Sequence, residues 1–147
     1  EDALDHLKQL LAVTYYYETE DKTVAYFSVI NDKIVNKDNE ANRIISKVMP
    51  SLIPHKKRRI SYPAAKVVRL GVHAECQSQG VGSEILDFLK SFFTVNNKTG
   101  CRFITVDAYN KTKVVDFYKK NGFKFLTEED KNEDTRLMYF DLIFFSV

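Results

Sequence analysis

The stretch Val67–Leu86, VVRLGVHAECQSQGVGSEIL, carries Gln77, Gly80 and Gly82 to the point where a β-branched apolar run gives way to a helical pattern. The first N–H groups of a helix have no internal acceptor and lie at the positive end of its dipole. They hold an anion when the backbone can come close to it. Side chains at 80 and 82 would obstruct that approach, and glycine also admits the dihedrals of a tight turn. Gln77, Ser78, Gln79, Gly80, Val81, Gly82 and Ser83 therefore read as a pyrophosphate cradle. Its pattern, Q-x-x-G-x-G, is neither the dinucleotide G-x-G-x-x-G nor the P-loop. A plain tight turn between strand and helix accounts for the same glycines. Cys76 beside the cradle has no evident paired histidine and reads as incidental.

The elements that must position this turn follow from periodicity. Ala65–His73 is a strand and Val81–Phe93 a helix, with Ile85, Phe88, Leu89 and Phe92 on one face. Upstream, Ala3–Ala12 has leucines at helical spacing. Thr14–Glu20 and Thr23–Asn31 are expected to form a hairpin across Asp21-Lys22. Asn39–Met49 reads as a helix closed by Pro50, and Pro54–Pro63 as a loop holding the run Lys56-Lys57-Arg58-Arg59. Downstream, Arg102–Ala108 is a strand and Thr112–Lys120 a helix stopped by Asn121-Gly122. Phe123–Leu126 and Arg136–Phe145 are two more strands, joined by the charged loop Thr127–Thr135. This order predicts a mixed α/β sheet with helices on its faces. The last strand is apolar on both alternating sets, as expected of a strand buried on both sides or one that joins a homodimer.

A chain of 147 residues, 44% hydrophobic and 29% charged, fits one soluble domain over residues 1–147. No apolar run approaches the ~20 residues that span a bilayer, so no membrane partner is expected. The two cysteines, Cys76 and Cys101, form neither a metal-ligand pattern nor a disulfide framework, so a cytoplasmic setting and no metal are expected. A net charge of +2 does not by itself demand a nucleic-acid partner. The chain begins at Glu1 without a methionine, so a true N-terminus upstream is expected.

The cradle is followed by Val106-Asp107-Ala108, by Asn110, and by Phe117-Tyr118-Lys119-Lys120-Asn121-Gly122-Phe123. In that order the chain resembles the GNAT superfamily of acyl-CoA-dependent N-acetyltransferases. That superfamily's signature, Gln/Arg-x-x-Gly-x-Gly/Ala, is matched by Gln77, Gly80 and Gly82, and a block F-Y-x-x-x-G-F follows it. The close likeness covers Ala65–Phe125. It implies an α/β (α+β) fold with a mainly antiparallel sheet, flanked by helices and splayed between its two central parallel strands. The family's first strand is not found and is expected upstream of residue 1.

The resemblance further implies acetyl-CoA as co-substrate and direct attack by a primary amine in a ternary complex. Backbone groups of Leu70, Gly71 and Val72 would bind the pantetheine arm, and the Val72 N–H would polarise the acetyl carbonyl. Asn110 would reach the pantetheine or the sulfur end, or else cap the helix near Thr112. Val114 and Phe117 would line the channel, or else belong to the core. Tyr118 is the expected catalytic residue, its phenol hydrogen-bonding the departing thiolate; packed under the sheet it would be structural instead. Glu18, Glu20, His73 and Glu75 are open candidates for the base.

For the acceptor, Ser61–Val72 (SYPAAKVVRLGV) is similar to the lead-in of GNAT toxins that acetylate aminoacyl-tRNA. Lys56, Lys57, Arg58 and Arg59 would then contact tRNA phosphates, though such runs also occur as solvated loops. Glu128-Glu129-Asp130 runs against a wholly basic RNA face, and Ser78 and Gln79 stand where the toxins carry arginine. Acetylation of a small amine, an antibiotic or a protein amine is the competing enzymatic reading. A CoA-binding module without turnover is the third.

Overall fold

Alternating apolar residues along Thr23–Val35 and Ser61–Val72 build the two longest strands, and the rest of the sheet is assembled against them. A computed structural model describes residues 2–35, 61–97 and 99–145. The helix expected over Asn39–Met49 and the basic run Lys56–Arg59 lie outside the described residues. In chain order the elements are α1 (Asp2–Lys8), β1 (Val13–Glu18), β2 (Thr23–Val35), β3 (Ser61–Val72), α2 (Val81–Thr94), β4 (Phe103–Tyr109), α3 (Thr112–Lys120), β5 (Lys124–Phe125) and β6 (Thr135–Asp141).

The strands lie in the order β1-β2-β3-β4-β6-β5. Every neighbouring pair is antiparallel except β3 and β4, which are parallel and joined through α2. This is the mixed sheet that the order of elements predicts, mainly antiparallel as the family resemblance implies. Ile85, Leu86, Leu89 and Phe93 of α2 bury one face of that helix against Ala25, Phe27, Ala65, Val67, Ile104 and Val106. Each such side chain contributes about 1.5–3 kcal/mol of transfer free energy. A smaller cluster on the opposite face joins Ile34, Tyr62, Ala64, Phe103 and Tyr139. Among the described residues no helix is long and apolar enough to cross a membrane.

Three local expectations are corrected. The first helix closes at Lys8 rather than Ala12, because Leu10 takes a left-handed backbone (φ 57°). β5 is confined to Lys124–Phe125. The last strand stops at Asp141, where the chain turns into a 3₁₀ segment, Leu142–Phe144. Asp141 ends it: its carboxylate accepts from the Ile143 N–H at 3.2 Å and forms a fork with Arg102 at 2.5 and 2.9 Å. The doubly apolar pattern of β6 follows from its place between β4 and β5. Met138 faces the larger core and Tyr139 the smaller one, which accounts for the pattern within one chain.

Candidate active site

β3 and β4 pair in parallel from Ala64↔Phe103 to Val67↔Val106, and there the ladder stops. On its other edge β3 shifts register at the same place: Val67 lies opposite Val29 and Arg69 opposite Ser28, so Val68 is an extra, bulged residue. A bulge bends and twists its strand. Beyond it Arg69–Val72 follow β2 and leave β4, and a gap opens in the sheet.

The gap widens into a cavity of about 700 Å³. β3 contributes Val67, Val68, Arg69, Leu70 and Val72 to its walls, and the cradle turn contributes Gln77, Ser78, Gly80, Val81, Gly82 and Ser83. β4 supplies Asp107, Ala108 and Tyr109, and α3 supplies Lys113, Val114, Phe117, Tyr118 and Lys120. The His73 N–H bonds the Val24 carbonyl at 2.8 Å. By strand alternation the peptide groups of Gly71 are directed to β2, whereas those of Leu70 and Val72 are directed to the gap. Gly71 is absent from the lining. Its hydrogen side chain makes room for Tyr26, since a Cβ there would stand 2.5 Å from that ring.

No side chain caps α2, and its first internal bond runs from the Glu84 N–H to the Gly80 carbonyl at 3.0 Å. The amides of Val81, Gly82 and Ser83 thus lack intrahelical acceptors at the cavity wall. Gly80 has φ 83°, and a Cβ on it would meet nothing within 4 Å. The space a side chain would fill is open, as a bound phosphate requires. Ser78 is also left-handed (φ 62°). Gln77 and Gln79 brace the turn: Gln77 Nε2 donates to the Val72 carbonyl at 3.1 Å, and Gln79 Nε2 donates to the Glu75 carbonyl at 3.0 Å. Gln79 is outside the lining.

Tyr118 projects from α3 into the cavity wall, its ring 5.1 Å from that of Phe117 and 5.5 Å from that of Phe123. Burial raises its pKa above the ordinary phenol value, so it remains protonated across the neutral range. Among the described residues no group hydrogen-bonds its hydroxyl. Asn110 is placed elsewhere. Its amide donates to the carbonyls of Lys131 (3.0 Å) and Glu133 (2.9 Å), tying the loop before β6 to the end of β4, and it does not line the cavity. Nor does it cap α3, whose N-cap is Lys111.

Several cavity residues escaped the sequence reading: Tyr26, Arg69, Asp107, Lys113 and Lys120. Two of them had a signal. Lys113, Phe117 and Lys120 are spaced i, i+4, i+7 and share one face of α3, so a face holding Phe117 carries two ammonium groups as well. Of the open base candidates, Glu75 is paired with Lys22 at 2.8 Å and lies outside the lining. Among the described residues no three His, Cys, Asp or Glu side chains group as metal ligands.

Helix amides, two lysines, a phenol and gap-facing strand peptide groups on one cavity suit a ligand that carries both phosphate and a reactive group. That is the layout of an acyl-carrier-dependent transferase. The model of the acetyltransferase (GNAT) domain matches residues 12–125, and the chain belongs to the GNAT acetyltransferase family.

No curated protein matches the sequence. Solved structures share the fold. One, titled as a bacterial toxin, superposes with a TM-score of 0.72 at 10% identity, over 95% of this chain and 72% of that one. AtaT complexed with acetyl-methionyl-tRNAfMet gives 0.69 at 18% identity, over 95% and 76%. AtaTR bound with AcCoA gives 0.69 at 18% identity, over 97% and 77%.

Proposed function

We propose that the protein is an N-acetyltransferase that moves the acetyl group of acetyl-CoA to a primary amine by direct attack in a ternary complex. The reading is carried by one observation: the β3–β4 ladder ends at Val67↔Val106 and opens a cavity that reaches both the α2 amides and Tyr118. The amides of Val81, Gly82 and Ser83 hold the pyrophosphate, with Lys113 and Lys120 adding positive charge. Gap-facing peptide groups of Leu70 and Val72 bind the pantetheine arm. Gln77 occupies the Val72 carbonyl and leaves the Val72 N–H for the thioester oxygen as it becomes an oxyanion.

The neutral amine attacks the carbonyl carbon, the C–N bond forms, the C–S bond breaks and its electron pair leaves on sulfur. Tyr118 donates a hydrogen bond to that sulfur. Because its pKa is raised, stabilising the thiolate outweighs outright proton transfer. The amine's proton ends on the thiol or in solvent. Holding both reactants in one cavity supplies much of the acceleration, ~7–11 kcal/mol in favourable cases.

A second reading, that the amine belongs to an aminoacyl-tRNA, is favoured by the toxin titles among the structural neighbours and the printed acetyl-methionyl-tRNAfMet complex of one of them. One experiment tests both. Isotope-labelled acetyl-CoA is incubated with the protein and a cell extract, and labelled products are sorted by mass spectrometry into small amines, proteins and tRNA. Label in any amine upholds the transferase, label on charged tRNA selects the second reading, and no labelled amine overturns both.

A further inference from the structure

Along β4, Val106 and Ala108 face the core shared with α2 and α3, so Asp107 between them faces the other side of the sheet. Asp107 nevertheless lines the same cavity as Tyr118. It is the first β4 residue past the last paired position, Val106. The cavity therefore passes through the sheet. Its helix-side mouth carries the amides and lysines, and its opposite mouth carries Asp107.

The second mouth is built from charge. Lys66 Nζ lies 2.9 Å from Asp107 and 3.8 Å from Asp32. The fully buried Thr105 fixes Asp32 by donating from its hydroxyl at 2.7 Å. Arg69, also in the lining, is bound to Asp2 of α1. Lys66, Asp32 and Asp2 stand behind the wall, and Asp107 is the one carboxylate among the residues that line the cavity. Its side chain is 51% exposed against 25% for Asp32, and Asp2, more exposed still, is held by Arg69 outside the lining.

We propose that Asp107 is the acceptor-binding carboxylate. It receives the cationic amine at the mouth opposite the donor's phosphates and, once that ammonium has given a proton to solvent, accepts a hydrogen bond from the nitrogen that attacks. Lys66 tempers it by partly neutralising Asp107 and holding it in place. The acceptor class is then a primary amine that is an ammonium ion in solution. The inference rests on the transferase reading above and names the acceptor side of the same site.

The two members of the pair predict opposite signs, which a merely structural ion pair does not. Purified full chain and its variants are assayed with acetyl-CoA and two probes, methionine methyl ester and methionyl-tRNA, and acetyl-CoA affinity is measured by calorimetry. Asp107→Asn is expected to raise the acceptor KM roughly ten- to hundredfold with acetyl-CoA affinity unchanged, the loss of one charge-assisted hydrogen bond. Asp107→Glu is expected to recover part of it. Lys66→Met is expected to lower the acceptor KM several-fold, because Asp107 is then no longer neutralised. Equal increases in KM for Asp107→Asn and Lys66→Met overturn the proposal, as does an Asp107→Asn enzyme with unchanged KM. If the unsubstituted chain binds acetyl-CoA but acetylates neither probe, the acceptor assignment falls while the donor site stands. If it binds no acetyl-CoA, the transferase reading itself falls.

Discussion

Gly82 at the start of α2 lies against the ring of Phe117 on α3, so close that a Cβ on it would stand 3.0 Å from Cζ and 3.2 Å from Cε2. The second glycine of the cradle therefore sets how α2 and α3 meet, in addition to baring its amide. The first glycine acts differently: Gly80 is left-handed, and its missing side chain leaves open space. Gly82→Ala is expected to lower stability by about 1 kcal/mol, since the ring must move. In a double-mutant cycle with Phe117→Leu, the two changes should couple by more than ~0.5 kcal/mol. Gly80→Ala should cost about 1 kcal/mol through backbone strain and show no coupling to Phe117. Urea denaturation of the three single variants, the two double variants with Phe117→Leu and the parent reads all of these.

Tyr118→Phe keeps both ring contacts and removes a hydroxyl that no described residue bonds. Melting temperature and acetyl-CoA affinity are expected to stay unchanged while kcat falls about a hundredfold. The raised pKa sets the sign of the pH effect: the phenol stays protonated through the ordinary phenol range, so this group causes no loss of rate below about pH 10. Its contribution to stability is full below that pH and is lost as pH rises through the elevated folded value. A kcat–pH series on the parent and on Tyr118→Phe should show the alkaline fall in the parent only.

Lys90 is buried beneath the turn that follows α3. Its ammonium donates to the Asn121 carbonyl at 2.7 Å and sits 4.3 Å from the Phe140 ring centroid. Asn121 in turn donates to Ser83 Oγ at 3.1 Å, linking the end of α3 to the cradle. Burial lowers the Lys90 pKa, with the nearby Asp87 opposing that shift. The folded state thus holds its proton less firmly than the unfolded state, and stability rises with pH between the lowered value and about 10.5. Lys90→Met should flatten that slope in urea midpoints taken from pH 7 to 10.

Arg136 is buried. It donates from Nε to Asp130 Oδ1 at 2.6 Å and from Nη2 to the Thr127 carbonyl at 3.0 Å, over the face of Phe125. Asp130 Oδ2 also accepts from the Leu137 N–H at 2.7 Å. Asp130→Ala takes the near carboxylate from a buried guanidinium, leaving Glu128 at 3.8 Å, and should cost about 3 kcal/mol. Replacing the neighbouring exposed Glu129 by alanine should change stability by less than ~0.5 kcal/mol. Thermal melts separate the two.

Local signals in the chain were enough for the order of the described strands and helices and for the turn that opens α2. The spacing Gln77, Gly80, Gly82 stands on consecutive backbone, where a turn and a helix start act on their immediate neighbours. The helical face of Val81–Thr94 and the stop at Asn121-Gly122 are likewise short-range. Where a signal depended on a distant partner, the reading went astray or stayed silent. The apolar run after Asp141 reads as strand until Arg102, remote in sequence, fixes the Asp141 carboxylate. Asn110 reads as a cap or a ligand until the loop carbonyls of Lys131 and Glu133 arrive to take its amide.

Asp107 is the sharpest case. In sequence it is one polar residue in an alternating strand, and nothing nearby says that the ladder beside it ends one residue earlier. That is decided by the bulge at Val68 and by the pairing of β3 with β2, contacts between segments about forty residues or more apart. Sequence alone therefore determined where a strand turns into a helix with bare leading amides, because that is a property of neighbouring residues. Tertiary structure decided which side chains share the cavity, because a gap in a sheet exists only once three strands have met.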